Sequence, residues 1–186
     1  MKTLLVAAVA EELQGLSSDF NILYTGIGKE NVENILRKYL TDLLPNERQE
    51  FTVFNVGTAG CRVYERGSLL FPTTVTGYSN GVLQSISVVD WGAEKYLDCR
   101  PVVCYSSDVF IDAENQSLLD SITHDCVDME AFTEANICKE FGVRFISLKL
   151  VSDCFNVTFE QWKISLNEVV SHLTQAIETL KKSNVI

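Results

Sequence analysis

Short apolar runs alternate with helical patterns along this chain. Runs rich in Val, Ile, Leu and Phe are typical of buried strands, and they cover residues 3–9, 20–26, 51–57, 68–76, 101–107 and 143–152. Apolar residues spaced three and four apart predict helices over residues 29–44, 129–141 and 159–182. Between them, apolar and polar residues alternate over 82–91, which predicts an antiparallel hairpin at a sheet edge.

Strands that alternate with helices in this way predict an α/β fold. We expect a three-layer sandwich in which helices flank a central mixed, largely parallel sheet. With 186 residues, the chain has the length of one domain, and residues 1–186 are expected to form it.

The composition excludes some classes of partner. The formal charge is −10, which argues against nucleic acid, because binding its backbone requires clustered Lys and Arg. No apolar stretch is long enough to span a bilayer. The apolar run after Lys2 resembles a signal peptide, but Glu11 and Glu12 interrupt it, so it is interpreted as a first strand. We therefore expect a cytoplasmic protein with no membrane partner.

The six cysteines are spaced irregularly, without a CxxC pair, and most lie in apolar runs. A buried Cys in such a run behaves as a small apolar residue, so reduced, structural thiols are expected. The only histidines, His124 and His172, lack the spacing of metal ligands. We expect neither a metal nor another cofactor.

Motifs with candidate chemistry follow the predicted strands. Ligands of open α/β sheets bind beyond the carboxyl ends of strands, so these positions were compared: Glu11 and Glu12, TGIGK (25–29), NVGTAG (55–60), SSDVFI (106–111), VDMEA (127–131) and SDCFN (152–156). Each has an ordinary structural explanation. Glu12 and Glu130 fit solvated helix residues, Asp128 and Asp153 fit N-caps, and the glycines fit tight turns. The functional interpretation requires the carboxylates to converge on one pocket.

Taken in order, VAAVAEEL, TGIGKENV, NVGTAG, SSDVFI, VDMEA and LVSDCFN resemble the nucleoside phosphorylase and nucleosidase superfamily. The resemblance is closest to the methylthioadenosine/S-adenosylhomocysteine nucleosidases and runs from Leu5 to about Trp162. The motifs are specific as a set, although each is common alone. The resemblance implies a nucleoside phosphorylase-like fold and a hydrolase of purine nucleosides.

The resemblance also implies roles for individual residues. Glu12 matches the glutamate that positions the attacking water, and Asp153, steadied by Ser152, matches the aspartate that acts on N7 of the leaving purine. Met129 matches the residue that packs under the ribose, and Glu130 matches the one that accepts hydrogen bonds from its hydroxyls. The remaining substrate-binding candidates are backbone or base contacts, namely Gly57, Thr58, Ala59, Phe110 and Ile111.

The nucleophile is expected to be water. Phosphorylases of this superfamily hold phosphate with arginines, one of which stands just before the turn matched by NVGTAG. Asn55 occupies that place, and residues 1–36 contain no Arg. Because a guanidinium is the usual bidentate partner of a phosphate, hydrolysis is favoured. A purine nucleoside phosphorylase stays an alternative.

Two regions of this chain, SSDFNILY and residues 77–104, are shorter than in usual members of the family. The sequence therefore does not specify the 5′ substituent of the substrate. In the family these regions build the 5′-side of the pocket and the dimer contact. Futalosine hydrolase is therefore an alternative, and a catalytically weak nucleoside-binding homodimer is a third. A homodimer is expected in each case, and the aromatic or apolar residues near these regions are either interface anchors or core residues: Phe20, Ile22, Phe71, Tyr78 and Trp91.

Overall fold

Eight strands and four helices follow one another through residues 2–186, the part of the chain that the computed structural model describes. The strands are β1 (Lys2–Ala7), β2 (Asn21–Tyr24), β3 (Phe51–Cys61), β4 (Leu69–Ser79), β5 (Val82–Ser87), β6 (Cys99–Ser106), β7 (Cys126–Asp128) and β8 (Arg144–Asp153). The helices are α1 (Lys29–Asp42), α2 (Pro45–Arg48), α3 (Ala131–Phe141) and α4 (Phe159–Lys182). Short 3₁₀ turns lie at Ala10–Leu13, Ala93–Lys95 and Gln116–Leu119.

The strands form one mixed sheet that closes on itself. Along the sheet the order is β2-β1-β3-β7-β6-β4-β5, and β8 pairs with both β3 and β4. The pairing of β8 with β3 is parallel, whereas Leu69 and Leu70 of β4 pair antiparallel with Leu150 and Lys149 of β8. Strands β3, β7, β6, β4 and β8 therefore form a closed ring, from which β1, β2 and β5 extend.

This closure corrects one part of the predicted fold. The α/β class and the mixed sheet are confirmed, but the central sheet is not the open middle layer of a three-layer sandwich. Apolar runs identify which segments are buried strands, but they do not specify which strands pair. The pairing of β8 on both of its edges is decided by the tertiary structure.

Helices cover the sheet on two sides. Helices α1 and α3 share one apolar core with β1 and β3, to which Leu36 and Ile137 contribute. Helix α4 packs in a second core, where Leu173 and Ile177 join Phe54 of β3. The helix boundaries match the predicted ones closely because local signals set them: Gly142 ends α3 at φ 67°, and Thr158 caps α4.

The sequence predicted that the NVGTAG motif follows a strand as a turn. In the structure the motif lies inside strand β3. Strand β3 stays paired with β8 to Gly60, with an irregularity between Ala59 and Gly60. A Cβ atom on Gly60 would lie 2.4 Å from the ring of Phe155, so this glycine makes room for an aromatic side chain. The predicted antiparallel hairpin at the sheet edge is present, but its strands are β4 and β5, so only Val82–Ser87 of the predicted segment 82–91 is strand.

The candidate interface anchors divide into two groups. Phe71 and Trp91 are buried, and the ring of Trp91 packs edge-on against Phe54 with 5.6 Å between centroids. The interface interpretation of these two is therefore wrong, since they fill the core of their own chain. Tyr78 is 40% exposed, and Phe20 and Ile22 are half-buried. None of the helices in residues 2–186 is long and apolar enough to cross a membrane.

Candidate functional site

One pocket brings together residues from separate motifs of the sequence. Every predicted site residue except Gly57 lines it: Glu12, Thr58, Ala59, Phe110, Ile111, Met129, Glu130, Ser152 and Asp153. The three carboxylates are buried in the unliganded chain, with Glu12 at 4%, Glu130 at 8% and Asp153 at 6% exposure. They are therefore not solvated helix residues, and the convergence that the functional interpretation requires is present.

Glu12 lies in the 3₁₀ turn after β1 and is held by Thr58 of β3. The backbone N–H of Thr58 donates to Oε1 of Glu12 at 2.7 Å, and the Thr58 hydroxyl donates to the same oxygen at 2.9 Å. Burial raises the pKa of Glu12, whereas Lys149 and the Thr58 hydrogen bonds act in the opposite direction. A carboxylate held in this way can accept a hydrogen bond from a water in the pocket.

Gly57 serves this arrangement by its lack of a side chain. A Cβ atom at this position would lie 2.9 Å from Oε1 of Glu12. The glycine thus permits the close approach of Glu12 to β3 and does not itself line the pocket.

Asp153 ends strand β8, and both of its carboxyl oxygens have partners. The Ser152 hydroxyl donates to Oδ2 at 2.7 Å, and the backbone N–H of Phe155 donates to Oδ1 at 2.9 Å. Phe155 adopts a left-handed φ of 61°, which is uncommon for a residue with a side chain and marks a tight turn after the strand. This turn fixes the direction of the carboxyl group at the pocket wall.

Glu130 stands between β7 and α3 and contacts the TGIGK motif. The backbone N–H of Gly28 donates to Oε1 of Glu130 at 2.7 Å. Burial and the nearby Asp128 raise the pKa of Glu130 to about 8, against the opposing effect of Lys149. Oε2 of Glu130 is therefore available to accept a hydrogen bond from a ligand in the pocket.

A buried ion pair behind Glu130 was missed by the sequence analysis. Lys149 of β8 donates to Oδ2 of Asp128 at 2.7 Å, and both side chains are buried. Asp128 also accepts from the Ser106 hydroxyl at 2.5 Å and from the backbone N–H of Ala131, the first residue of α3, at 2.9 Å. Its interpretation as the N-cap is wrong, because Asp128 ends β7 and Glu130 is the residue at the N-cap position. The available signal was a single Lys inside an otherwise apolar strand. This network anchors the turn that carries Met129 and Glu130.

Glu134 of α3 is a second missed residue. It is completely buried, and within residues 2–186 neither carboxyl oxygen has a partner that meets hydrogen-bond geometry. Burial raises the pKa of Glu134 well above its usual value, against the attraction of Lys149. For Lys149, burial lowers the pKa, but the surrounding Asp128, Glu130 and Glu134 outweigh it, so its pKa lies above the usual value.

Three aromatic rings form one wall of the pocket, and two of them come from α4. Phe110 meets Phe159 edge to face with 5.5 Å between centroids, and Phe159 stacks on Trp162 at 5.3 Å. All three line the pocket. Flat apolar rings of this kind suit a planar heterocycle. Phe159 and Trp162 were predicted only as core residues of a helix, because their spacing fits an apolar helix face equally well.

Among the described residues, the pocket lining contains no Arg, Lys or His. Asn55 lies outside the lining, is buried, and accepts a hydrogen bond from the Ser147 hydroxyl at 2.7 Å. No group of His, Cys, Asp and Glu within residues 2–186 is arranged to hold a metal ion. The pocket thus offers carboxylates, hydroxyls and aromatic rings as its chemistry.

Comparison with known sequences supports the resemblance that the motifs suggested. Residues 93–182 match the sequence model of the Phosphorylase superfamily. This match spans β6 to α4 and includes Met129, Glu130 and Asp153, so the resemblance to that superfamily is confirmed. No curated protein matches the sequence.

Solved structures show the same fold over nearly the whole chain. Futalosine hydrolase of Helicobacter pylori is 16% identical, with a TM-score of 0.75 over 98% of each chain. The 5′-methylthioadenosine/S-adenosylhomocysteine nucleosidase of Colwellia psychrerythraea, solved with adenine, is 17% identical, with a TM-score of 0.77 over 97% of this chain and 94% of that one. The corresponding Neisseria meningitidis nucleosidase, bound to methylthio-immucillin-A, is 17% identical, with a TM-score of 0.74 over 98% and 100%. At these identities the likeness establishes the fold.

Proposed function

We propose that this chain, which has the fold of the nucleosidases and matches the Phosphorylase superfamily over residues 93–182, is a purine nucleosidase. Its substrate is a 5′-modified adenine nucleoside of the methylthioadenosine or S-adenosylhomocysteine type, and the reaction is hydrolysis of the N-glycosidic bond. The observation that supports this most is the convergence of Glu12, Glu130 and Asp153 on one pocket beside three aromatic rings.

The chemistry needs two groups on opposite sides of the sugar. Cleavage passes through an oxocarbenium-like ribosyl group, as it does in glycoside hydrolysis, so a water must be directed at the anomeric carbon while the leaving base is protonated. In this proposal Glu12 accepts the proton of the water, and Asp153 donates a proton to N7 of the purine. The bond from C1′ to the base breaks, the bond from C1′ to the water oxygen forms, and the base leaves as a neutral purine.

The ribose is positioned by the turn between β7 and α3. Glu130 accepts hydrogen bonds from the ribose hydroxyls, and Met129 packs beneath the sugar. Gly28 holds one oxygen of Glu130 at 2.7 Å, so the direction of the carboxyl group is set before the substrate binds. The base packs against the wall that Phe110 and the α4 rings form together, and backbone groups near Ile111 form hydrogen bonds with its edge.

Water is favoured over phosphate as the nucleophile by the charge of the site. A phosphate dianion would enter a pocket whose lining includes four acidic side chains, Glu12, Asp128, Glu130 and Asp153, and, among the described residues, no Arg or Lys. The ammonium group of Lys149 is already paired with Asp128. A bidentate guanidinium, the usual partner of a phosphate, is missing from this lining.

The experiment is a product analysis with and without phosphate. The protein is incubated with methylthioadenosine, S-adenosylhomocysteine, adenosine, inosine and futalosine, and the released base and sugar are identified by chromatography. We expect adenine release from the first two substrates in phosphate-free buffer. Base release that requires phosphate and yields ribose 1-phosphate would replace the hydrolase with a phosphorylase.

Futalosine is the informative comparison within this assay, because the fold of futalosine hydrolase is matched as well as that of the adenine nucleosidases. Preferential cleavage of futalosine would change the proposed 5′ group while keeping the reaction. Binding of nucleosides without any cleavage would instead support the nucleoside-binding homodimer.

A further inference from the structure

Trp162 of α4 makes a directional contact with the residue that holds Glu12. Its indole Nε1 lies 3.3 Å from Oγ1 of Thr58, and both side chains are buried. An indole N–H can only donate, so the Thr58 oxygen accepts this bond. The hydroxyl hydrogen of Thr58 is then free to point at Oε1 of Glu12, 2.9 Å away.

The two oxygens of Glu12 are consequently unequal. Oε1 receives both the backbone N–H and the hydroxyl of Thr58. Oε2 has a single long contact, 3.4 Å from the backbone N–H of Val9. Oε2 is therefore the oxygen with capacity left for a water in the pocket.

We propose that Trp162 is a positioning residue for Glu12, acting through the Thr58 hydroxyl so that Oε1 is occupied and Oε2 faces the attacking water. This inference rests on the proposed function in one respect, namely the role of Glu12 as the group that accepts the proton of that water. Trp162 thus has two duties, since the same indole ring also stacks on Phe159 at the pocket wall.

Other charged groups near Glu12 do not depend on Trp162. Lys149 of β8 favours the ionised form of Glu12 and so lowers its pKa. Glu12 in turn raises the pKa of Glu130, which stands at the start of α3. Asp128 and Asp153 line the same pocket. A change confined to the indole leaves these four groups in place, so it isolates the hydrogen-bond contribution.

The chain provides its own control in its second tryptophan. Trp91 is buried against Phe54, and its indole N–H has no hydrogen-bond partner in the part of the chain that the structure describes. Replacing either Trp by Phe removes one N–H and part of a buried ring. Only Trp162→Phe also removes a hydrogen bond, so Trp91→Phe accounts for the effect of lost packing.

The test compares pH profiles of kcat/KM for wild type, Trp162→Phe and Trp91→Phe with the best substrate from the assay above. A neutral hydrogen bond is worth about 0.5–1.5 kcal/mol, so we expect kcat/KM to fall about threefold to tenfold in Trp162→Phe, mainly through kcat. With the Thr58 hydroxyl free to rotate, Glu12 loses a donor, and the acidic limb of the profile should move up by roughly 0.5–1 pH unit. Trp91→Phe should leave the limb in place. Identical limbs in all three proteins would overturn the proposal.

A double-mutant cycle then locates the effect. Thr58→Val removes the hydroxyl but keeps the backbone N–H, and it should move the acidic limb at least as far as Trp162→Phe. If Trp162 acts through this hydroxyl, adding Trp162→Phe to Thr58→Val should cause no further shift. Additive shifts would mean that Trp162 acts by another route, and the proposal would be wrong.

The inference is separable from the proposed activity. The titration of Glu12 can be followed by NMR of its side-chain carboxyl carbon in the unliganded protein, whether or not a substrate is cleaved. A higher midpoint in Trp162→Phe than in wild type and Trp91→Phe supports the positioning contact even if every nucleoside assay is negative. An unchanged midpoint removes the contact even if the protein proves to be a nucleosidase.

Discussion

Gly28 donates its backbone N–H to Oε1 of Glu130 at 2.7 Å across a sequence separation of 102 residues. The contact joins the TGIGK and VDMEA motifs, which look unrelated in the sequence. It explains why a glycine-rich turn stands beside a buried carboxylate: Gly28 has a φ of 88°, a left-handed conformation that favours glycine. The contact fixes Oε1 of Glu130 and leaves Oε2 available to a ligand in the pocket.

Replacing the proposed acid should abolish most turnover. In Asp153→Asn the bonds with Ser152 and Phe155 can largely persist, but the side chain no longer delivers a proton. General-acid catalysis is typically worth 10²–10⁴-fold, so kcat should fall by at least about a hundredfold while ligand affinity, measured by calorimetry, changes little. The control is Asp98→Asn at an exposed site. A rate near that of wild type would remove Asp153 from the mechanism.

Glu130→Ala should act on binding and on sugar discrimination. Without the carboxyl group, ribose hydroxyls lose an acceptor. Because the pKa of Glu130 is raised to about 8, the group is largely neutral near pH 7, and a neutral hydrogen bond is worth about 0.5–1.5 kcal/mol, so KM for ribosides should rise about threefold to tenfold. The variant should also discriminate less between a riboside and its 2′-deoxy analogue. The ratio of kcat/KM for the two substrates measures this, and an unchanged ratio would place the ribose elsewhere.

Because Glu134 is buried, we expect the free energy of unfolding to depend on pH. Because burial raises its pKa in the folded protein above the unfolded value of about 4.3, the unfolded chain releases this proton first as the pH rises. Wild type should therefore lose stability relative to Glu134→Gln as the pH rises above about 4.3, by at most about 1.4 kcal/mol per pH unit and only while the folded protein keeps this proton. Urea unfolding at several pH values measures the difference in the free energy of unfolding between wild type and Glu134→Gln.

The matched control for this measurement is Glu114→Gln, which changes an exposed carboxylate. Its stability difference from wild type should not widen in the same way. If the difference in the free energy of unfolding between wild type and Glu134→Gln stays constant from pH 5 to 7, Glu134 is ionised in the folded protein.

The cysteines should differ sharply in reactivity. Cys154, next to Asp153, is exposed, whereas the other five are buried. Burial raises the pKa of Cys99 and Cys138, which further reduces their thiolate population. We expect one thiol per chain to react rapidly with a maleimide, and Cys154→Ser to eliminate that reaction. Rapid labelling of all six, or a mass that indicates disulfides, would contradict the prediction of reduced, structural thiols.

A homodimer remains our proposal for the assembly. Tyr78 and Leu83 pair directly across the β4–β5 hairpin, and each is 40% exposed. Lys29 at the start of α1 donates to the Tyr78 carbonyl at 3.0 Å, so the hairpin adjoins the turn that contacts Glu130. Light scattering should give twice the chain mass of 20.8 kDa, and Leu83→Glu should shift the mass towards the monomer.

The control for the dimer is Ile164→Glu on α4, at a side chain that is 77% exposed and far along the sequence from the hairpin. It should leave the mass unchanged. A wild-type protein that scatters as a monomer at micromolar concentration, with or without a substrate analogue, would refute the dimer.

The sequence by itself determined the elements and most of the site. Helix α4 was predicted with its observed bounds, because the apolar spacing from Phe159 is a local property of the chain. Glu12, Glu130 and Asp153 were singled out by their positions at or near the ends of apolar runs together with the resemblance of the six motifs, taken as a set, to a known superfamily. Local pattern was sufficient for the helix bounds, whereas for each carboxylate alone it favoured an ordinary structural explanation.

The tertiary structure alone decided the closed ring of strands and the partners of the buried charges. Strand β8 pairs with both β3 and β4, and Lys149 forms an ion pair with Asp128, so both features join residues that are distant in sequence. The burial of Glu134 likewise depends on how α3 packs against the rest of the fold. Trp162 illustrates the limit, because its position on an apolar helix face predicts burial but not the donor it offers to Thr58, 104 residues away. Periodicity reports which side of an element is buried, whereas the contact made there is set by how the elements pack.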